Sequence, residues 1–521
     1  MGKGLRLPAA AWAGGALYAL LAAFGWQAER WGGSRPWAAL LWALALFVPF
    51  SLLLARLFAL GRGDARESRP FRSRRAFLGM LLCWLPSFVI HFPGSFAYDV
   101  PFQLEQTASG VFSSHHPLVH TLLMGSLVEL GRRLGSANLG AALYTAVQMI
   151  GLAACLTAVC ASLARQSGSR TARAAACFFA LYPLHMLMAV NATKDVLFSG
   201  FFALALALLR EELSAGLTAG RRALLFVSAA TAALLRNNMG WAMAAAAAVL
   251  ALASLKSSRP AGRAAAVLAL ALAASAGVNG LLCAALGAAP GDAREMLSWP
   301  IQQAARASCR EREKLSDAEK EAVDDLMPQM IWKQYDPTVS DPVKFGFRTE
   351  RLRENPKKYL SAYASLLKKC PQSAFDAVLM LTHAWLYPCP VYRVSGYYLQ
   401  TWVTQEDYTG WQGEHLSDGS PCPQLRQAVE WRFGAKGAMQ IPLLGWCFNM
   451  GVIVWLTLFF VLRGFAEEGK AGLAGVLPLM LLATFLLGPV MAGRYIYPFV
   501  CALPVLAGRT RKLKSSGGEN L

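Results

Sequence analysis

Apolar runs of a length able to cross a bilayer recur along the chain, near 9–26, 37–60, 76–91, 138–164, 172–190, 195–210, 264–287, 441–462, 472–492 and 495–508. A run of roughly 17–25 apolar residues is what a transmembrane helix requires. The stretch 223–255 is too long for one span and carries Arg236-Asn237-Asn238 near its middle, so it predicts two spans with that triplet at the turn. Between the third and fourth runs, Pro117 to Gly135 places apolar residues at Leu118, Leu122, Met124, Leu127, Val128 and Leu130 and ends in Glu129, Arg132 and Arg133. This pattern predicts a helix on or dipping into the interface, not a span. From about 290 to 440 the long apolar runs stop, charge rises, and Pro and Tyr become frequent, as in a water-facing domain. The expected fold is an all-α polytopic membrane protein of about twelve transmembrane helices. It divides into an N-terminal membrane module (1–289, with a large loop at 92–136), an extracytoplasmic domain (290–440) and a C-terminal membrane segment with a tail (441–521).

Composition changes this picture little: 55% of the 521 residues are hydrophobic and 16% are charged, as suits a membrane protein. The net charge of +19 changes it more. The cations form short clusters between apolar runs and no continuous stripe, which argues against nucleic acid. Seven clusters, at Lys3/Arg6, 56–75, 165–173, 210–222, 256–263, 463–470 and 509–514, hold 24 Lys and Arg. The short connections on the other side hold 7: Arg30, Arg35, Arg132, Arg133, Lys194, Arg236 and Arg494. By the positive-inside rule both termini are cytoplasmic and the 92–136 loop is outside. The first apolar run, behind Lys3 and Arg6, is expected to stay as a span. Cys309, Cys370, Cys389 and Cys422 fall in the outer domain and predict at least one disulfide there. No Cys/His spacing suggests a metal site.

The outer loop carries the candidate chemistry. Arg and Lys are absent from Phe92 to Leu130, while Asp99, Gln103, His115 and His116 lie within it. Asp99 is either a helix cap or a general base, and partial desolvation near the interface would raise its pKa into a useful range. As a loop carboxylate it is expected to support little packing. His115-His116-Pro117 either opens the following helix or turns one imidazole, or the helix N-terminus, to an anion. Thr193-Lys194-Asp195 opens another span on the same side, where Asp is a good first-turn residue and Lys can snorkel. Arg236 and the Arg494-Tyr495-Ile-Tyr497-Pro498 stretch complete that face. Acids and cations gathered above a bilayer suit a lipid-linked phosphate carrying a group to be transferred.

With these residues the chain resembles the GT-C glycosyltransferases, in the branch of the protein O-mannosyltransferases and the aminoarabinose transferase of lipid A. The likeness rests on an acidic residue in the first outer loop (Asp99), His116-Pro117-Leu118 opening a helix, and Leu134-Gly135-Ser136-Ala137-Asn138 before the next span. It continues with Asp195-Val-Leu197, Leu235-Arg236-Asn-Asn-Met-Gly240 and Arg494-Tyr495-Ile-Tyr-Pro498. The chain departs from that pattern in two extra spans before the loop, in His-His-Pro for Lys-Pro-Pro, and in the inserted domain. It also resembles an uncharacterised bacterial family of polytopic proteins with Pro93-Gly94-x-x-x-x-Asp99, Thr193-Lys194-Asp195, Arg236-Asn237-Asn238 and Pro300-Ile-Gln-Gln303-Ala-Ala-Arg306. The resemblance implies an inverting glycosyltransferase that takes sugar from a polyprenyl phosphate to a cell-envelope acceptor. Asp99 and Asp195 would be its catalytic acids. His115, His116, Lys194, Arg236 and Arg494 would hold the donor phosphate. Tyr98, Gln103, Asn237, Asn238 and Tyr495 would contact the substrates. No cofactor beyond the donor is implied, and the partners are membrane lipid and the acceptor. The alternatives are a transporter or lipid flippase, which needs broken or charged helices at the midplane, and a non-catalytic envelope assembly factor.

Overall fold

A computed structural model of the chain describes residues 8–59, 69–96, 99–255, 259–388, 416–417, 419–433, 441 and 443–510. The predicted apolar segments lie largely on helix, although fewer than twelve of the described helices are long and apolar enough to cross a membrane. The first membrane helices are α1 (Ala9–Trp31), α2 (Pro36–Ala59) and α3 (Ser73–Ile90). The loop after α3 holds a two-residue strand β1 (Ser95–Phe96) and the helices α4 (Val100–Ser109) and α5 (Leu118–Arg133). Then come α6 (Ala137–Ser167), α7 (Ser169–Leu181), α8 (Pro183–Ala189), β2 (Asn191–Ala192) and α9 (Lys194–Ser214). They are followed by α10 (Ala219–Leu235), α11 (Asn237–Ser254) and α12 (Arg259–Leu286). Seven helices among the described residues are long and apolar enough to cross a membrane, eight if the pair α7–α8 counts as one span. That pair bends by 59° where Tyr182, in the extended conformation that a following proline favours, precedes Pro183.

The turns between the helices alternate between two ends of the bundle. At one end, Glu211 of α9 pairs with Arg165 of α6 and with Arg221 of α10. There too, Glu212 pairs with Arg263 of α12, and Arg210 with Glu468. Arg509 donates to the carbonyl of Phe58, and Arg173 to that of Arg69. These are the residues of the predicted cytoplasmic clusters. The other end gathers the 91–117 loop, the turns at 190–195 and 236, and the segment around Arg494.

The helix predicted over Pro117–Gly135 is α5. It packs against the first turns of α6, and Gly131 meets Gly140 so closely that a Cβ on Gly131 would fall on the backbone of its neighbour. With 31 residues α6 is about 46 Å long, well beyond a hydrocarbon layer of about 30 Å.

The segment after α12 forms a helical unit. It contains α13 (Ser298–Arg310), α14 (Asp317–Leu326), α15 (Gln329–Trp332), α16 (Asp341–Lys344), α17 (Thr349–Glu354), α18 (Pro356–Lys369) and α19 (Pro371–Leu386). Ile301, Ala305, Val323, Val343 and Leu366 centre its own small core. The expected domain 290–440 is not all water-facing. Leu379 and Met380 of α19 pack on Ala28 of α1, and Trp385 joins the main core. The Gln-Gln-x-x-Arg stretch proves to be a fastening. Arg306 donates to the Gly32 carbonyl and pairs with Asp376, which also accepts from Ser34 N and Oγ at 2.8 and 2.6 Å. Cys309, Cys370 and Cys422 are free thiols, so the predicted disulfide does not form among them. Cys389 lies outside the described residues. The chain ends with α20 (Pro423–Phe433), α21 (Met450–Glu467), α22 (Val476–Leu486) and α23 (Tyr497–Ala507).

Candidate functional site

β1 and β2 pair in parallel, Ser95 with Asn191 and Phe96 with Ala192. Gly94, at φ +150°, lies against Thr145, where a side chain would collide. This short ladder brings the loop after α3 to the start of α9. Asp99 occupies the residue before α4, yet its side chain makes no capping bond. It turns instead to Lys194 and Arg494. Lys194 Nζ donates to Asp99 Oδ2 at 2.8 Å, and Arg494 Nη2 donates to the same oxygen at 3.0 Å. Lys194 also donates to His116 Nδ1 at 3.2 Å.

A second carboxylate lies below. Asp195 is fully buried, pairs with Arg236, and has its Oδ2 3.5 Å from Arg494 Nε. Arg236 is the single extended residue between α10 and α11. Its guanidinium lies over the rings of Phe485 at 4.4 Å and Tyr495 at 4.5 Å. The cluster therefore holds three cations and two carboxylates, and one positive charge is left over. Arg494 Nη1 is buried without a hydrogen-bond partner.

The expected upward shift of Asp99 is reversed. Burial alone would raise its carboxyl, but the Arg494 guanidinium and the Lys194 ammonium together hold it well below the usual carboxylate range. Asp99 is also only 7% exposed, so it is not the loosely held loop carboxylate that its sequence position suggested. Burial, and after it the nearby ammonium of Lys194, push the His116 imidazole down to about 3, so it is a neutral acceptor at physiological pH.

The remaining predicted residues divide. His115 is exposed while His116 is buried, so the adjacent pair separates in role. Tyr495 accepts from Arg494 at 3.4 Å. Asn237 donates to the Ser114 carbonyl and Asn238 to that of Thr484, both at 3.4 Å, which fastens the α10–α11 turn to its neighbours. Tyr98 lies outside the described residues. Gln103 corrects the expectation of a substrate contact: it is buried and its amide is bonded to His120 Nδ1 at 3.0 Å and Thr121 Oγ1 at 2.9 Å.

That bond belongs to a chain of buried groups that the sequence reading missed. His120 Nε2 meets Tyr144 Oη at 2.6 Å, and Tyr144 donates to Gln148 Oε1 at 2.9 Å. Gln148 then donates to the carbonyls of Ala189 and Asn191, at 3.1 and 3.0 Å. The signal was available. Tyr144 and Gln148 are four apart in an apolar run, on one helix face, and a buried amide needs partners.

The inserted unit reaches the same place from outside. Trp299 donates to the Leu486 carbonyl at 2.8 Å, and Ser340 N to that of Pro489 at 2.8 Å, bracing the segment that leads to Arg494. Among the described residues no group of three His, Cys, Asp or Glu side chains is placed to hold a metal ion.

Residues 103–517 match the model of a family described as a family of unknown function, DUF6020. No curated protein and no solved structure matches the chain.

Proposed function

Because the chain belongs to that family, whose description assigns no activity, we propose a function from the site itself. The protein is an integral membrane glycosyltransferase that uses a polyprenyl-phosphate sugar and acts on a cell-envelope acceptor. The site faces the extracytoplasmic side, both termini are cytoplasmic, and the architecture is GT-C-like with twelve spans. One observation carries the reading: a buried carboxylate shared by Lys194 and Arg494, in a cluster with one unbalanced positive charge, at the loop end of an apolar bundle. Surplus cationic donors suit a phosphate, and a carboxylate beside them suits an acceptor hydroxyl.

The reaction is a single displacement. The acceptor oxygen bonds to the anomeric carbon as the bond from that carbon to the phosphate oxygen breaks. The hydroxyl proton passes to Asp99, and the lipid phosphate leaves with the bonding electron pair, its charge held by Lys194 and Arg494. Asp195 and Arg236 are buried beneath this pair and hold it in position.

The test is transfer from radiolabelled polyprenyl-phosphate sugars by purified protein in lipid nanodiscs. Asp99→Asn is expected to lower turnover about 10²–10⁴-fold, the usual contribution of a positioned acid or base. Near-normal turnover in that variant, corrected for folded protein, would sink the reading. The bend between α7 and α8, just before the turn carrying Lys194, favours a second reading as a transporter, since discontinuous helices often build transport sites. Counterflow of lipid-linked sugar without transfer would favour that alternative.

A further inference from the structure

We propose that the Asp99 carboxylate stands in for the ligand's anion on Lys194 and Arg494, so that a lipid phosphate binds by taking both cations from it. This rests on the transferase reading for its consequence, an order of events in which the donor must be seated before Asp99 can receive the acceptor proton.

The geometry of the two cations supports an exchange of partners. Both reach one oxygen, Asp99 Oδ2, at 2.8 and 3.0 Å. Neither depends on Asp99 alone. Lys194 keeps His116 Nδ1 at 3.2 Å as a neutral acceptor. Arg494 keeps its Nε beside Asp195 Oδ2 at 3.5 Å. Its far edge then presents Nη2, now on Asp99 and Tyr495, next to Nη1, which is buried and unpartnered although the residue is only 6% exposed. Two adjacent N–H groups on a planar fork match two oxygens of a phosphate. Arg236 takes no part in the exchange, because Asp195 and the Phe485 and Tyr495 rings hold it.

Seating an anion changes what Asp99 can do. With Arg494 and Lys194 on its oxygen the carboxylate is a weak base. Once both have turned to a phosphate, burial dominates and the affinity for a proton rises. The groups facing Asp99 are Lys194, Arg494 and His116, with Asp195, Arg236 and Tyr495 behind them, the buried His120 on α5 and the exposed His115 beside His116. His116 stays neutral through the mildly acid range, so the exchange is governed by the carboxylate.

The experiment measures binding of a polyprenyl monophosphate without sugar, in nanodiscs of zwitterionic lipid, to the full chain and to Asp99→Asn. Removing the competing carboxylate is expected to tighten binding about tenfold, within the usual range of coupling between sites. The variant is expected to melt lower without lipid, and the lipid phosphate should restore more of its melting temperature than it adds to the parent. Inorganic phosphate is run alongside: the same preference for the variant shows that the anion alone is read, and its absence shows that the lipid is required. Either of those results supports the competition. Equal or weaker lipid-phosphate binding by folded Asp99→Asn overturns it. Where that variant does not fold, Asp99→Ser is measured in its place, and the parent is titrated from neutral to mildly acid pH with a phosphodiester donor. Tightening toward acid supports the competition and a flat response overturns it. Absence of sugar transfer by the parent protein, with the binding difference intact, would sink the transferase reading alone. Equal affinities of parent and variant, with transfer by the parent intact and lost in Asp99→Asn, would sink only this inference.

Discussion

At the scale of single residues, the cluster makes His116 a pH-sensitive element of stability. Its folded value lies near 3, against 6.5 for the free side chain, so the unfolded chain takes up a proton that the folded chain refuses. The neutral imidazole contributes fully above about 6.5, and its contribution falls as the pH drops from there toward 3. Asp99 acts in the same direction further down. Its contribution stands above the unfolded value of 3.8 and is lost as the pH falls through its depressed folded value. Denaturant unfolding of the parent and of His116→Gln, from neutral to about pH 5, should show a shallower loss in the variant. Equal slopes would mean that His116 is solvated. Arg236 has a different expectation from the one its position suggested. The geometry commits it to Asp195, so Arg236→Ala should cost about 3–5 kcal/mol, as expected for an uncovered buried charge. Arg236→Lys should lie between, since an ammonium keeps the charge but loses the planar stack. Melting of the three proteins, compared with lipid-phosphate affinity per folded molecule, checks this: a loss confined to affinity would restore Arg236 to the phosphate.

At the scale of elements, the buried chain from Gln103 to Gln148 sets the turn between α8 and α9. Tyr144→Phe removes the hydroxyl that joins His120 to Gln148 and leaves two buried groups short of a partner. The expected loss of stability is about 1–3 kcal/mol. Turnover should fall further than the folded fraction, because Asn191 lies three residues before Lys194. Activity that tracks folding alone would make the chain a packing feature only. Much at this scale was legible in the sequence. The periodicity gave α5 and the break at Arg236, and the cation distribution set Asp99, His116, Lys194, Asp195, Arg236 and Arg494 on one face. Their pairing was not legible, because it depends on the two-residue ladder of Ser95–Phe96 with Asn191–Ala192, which no pattern of polarity marks. Gln103 was misread for a related reason. A polar residue in a loop looks available, and only the fold shows His120 and Thr121 beside it.

For the whole molecule, the alternation of turns between two ends makes sidedness testable. In a protein whose Cys309, Cys389 and Cys422 are replaced by serine, a cysteine at Ser113 should react with an impermeant thiol reagent added outside. One at Arg170, exposed at the opposite end, should not. Labelling at Arg170 with silence at Ser113 would invert the topology. The inserted unit shows the limit of composition at this scale. Its charge announced a separate water-facing domain, and α13 to α18 do enclose a small core. α19, by contrast, packs on α13 of that unit and also turns Leu379, Met380 and Trp385 to α1 and the main apolar core. Charge counted over a window does not say which helix of that window turns inward.

The pairing at Asp99 also sets an order for making the protein. Lys194 lies 95 residues and Arg494 395 residues further along the chain than the carboxylate they share. As the ribosome feeds spans to the membrane, Asp99 emerges first, Lys194 and the Asp195–Arg236 pair follow, and Arg494 arrives only with the last two helices. Until then Asp99 has one of its two cations, and Asp195 has Arg236 but lacks the second guanidinium, that of Arg494, which lies beside it in the finished fold. The site is therefore closed by the end of synthesis. A chain interrupted before Arg494 already has two cations for its two buried acids, and what it lacks is the surplus positive charge that the finished site offers an anion.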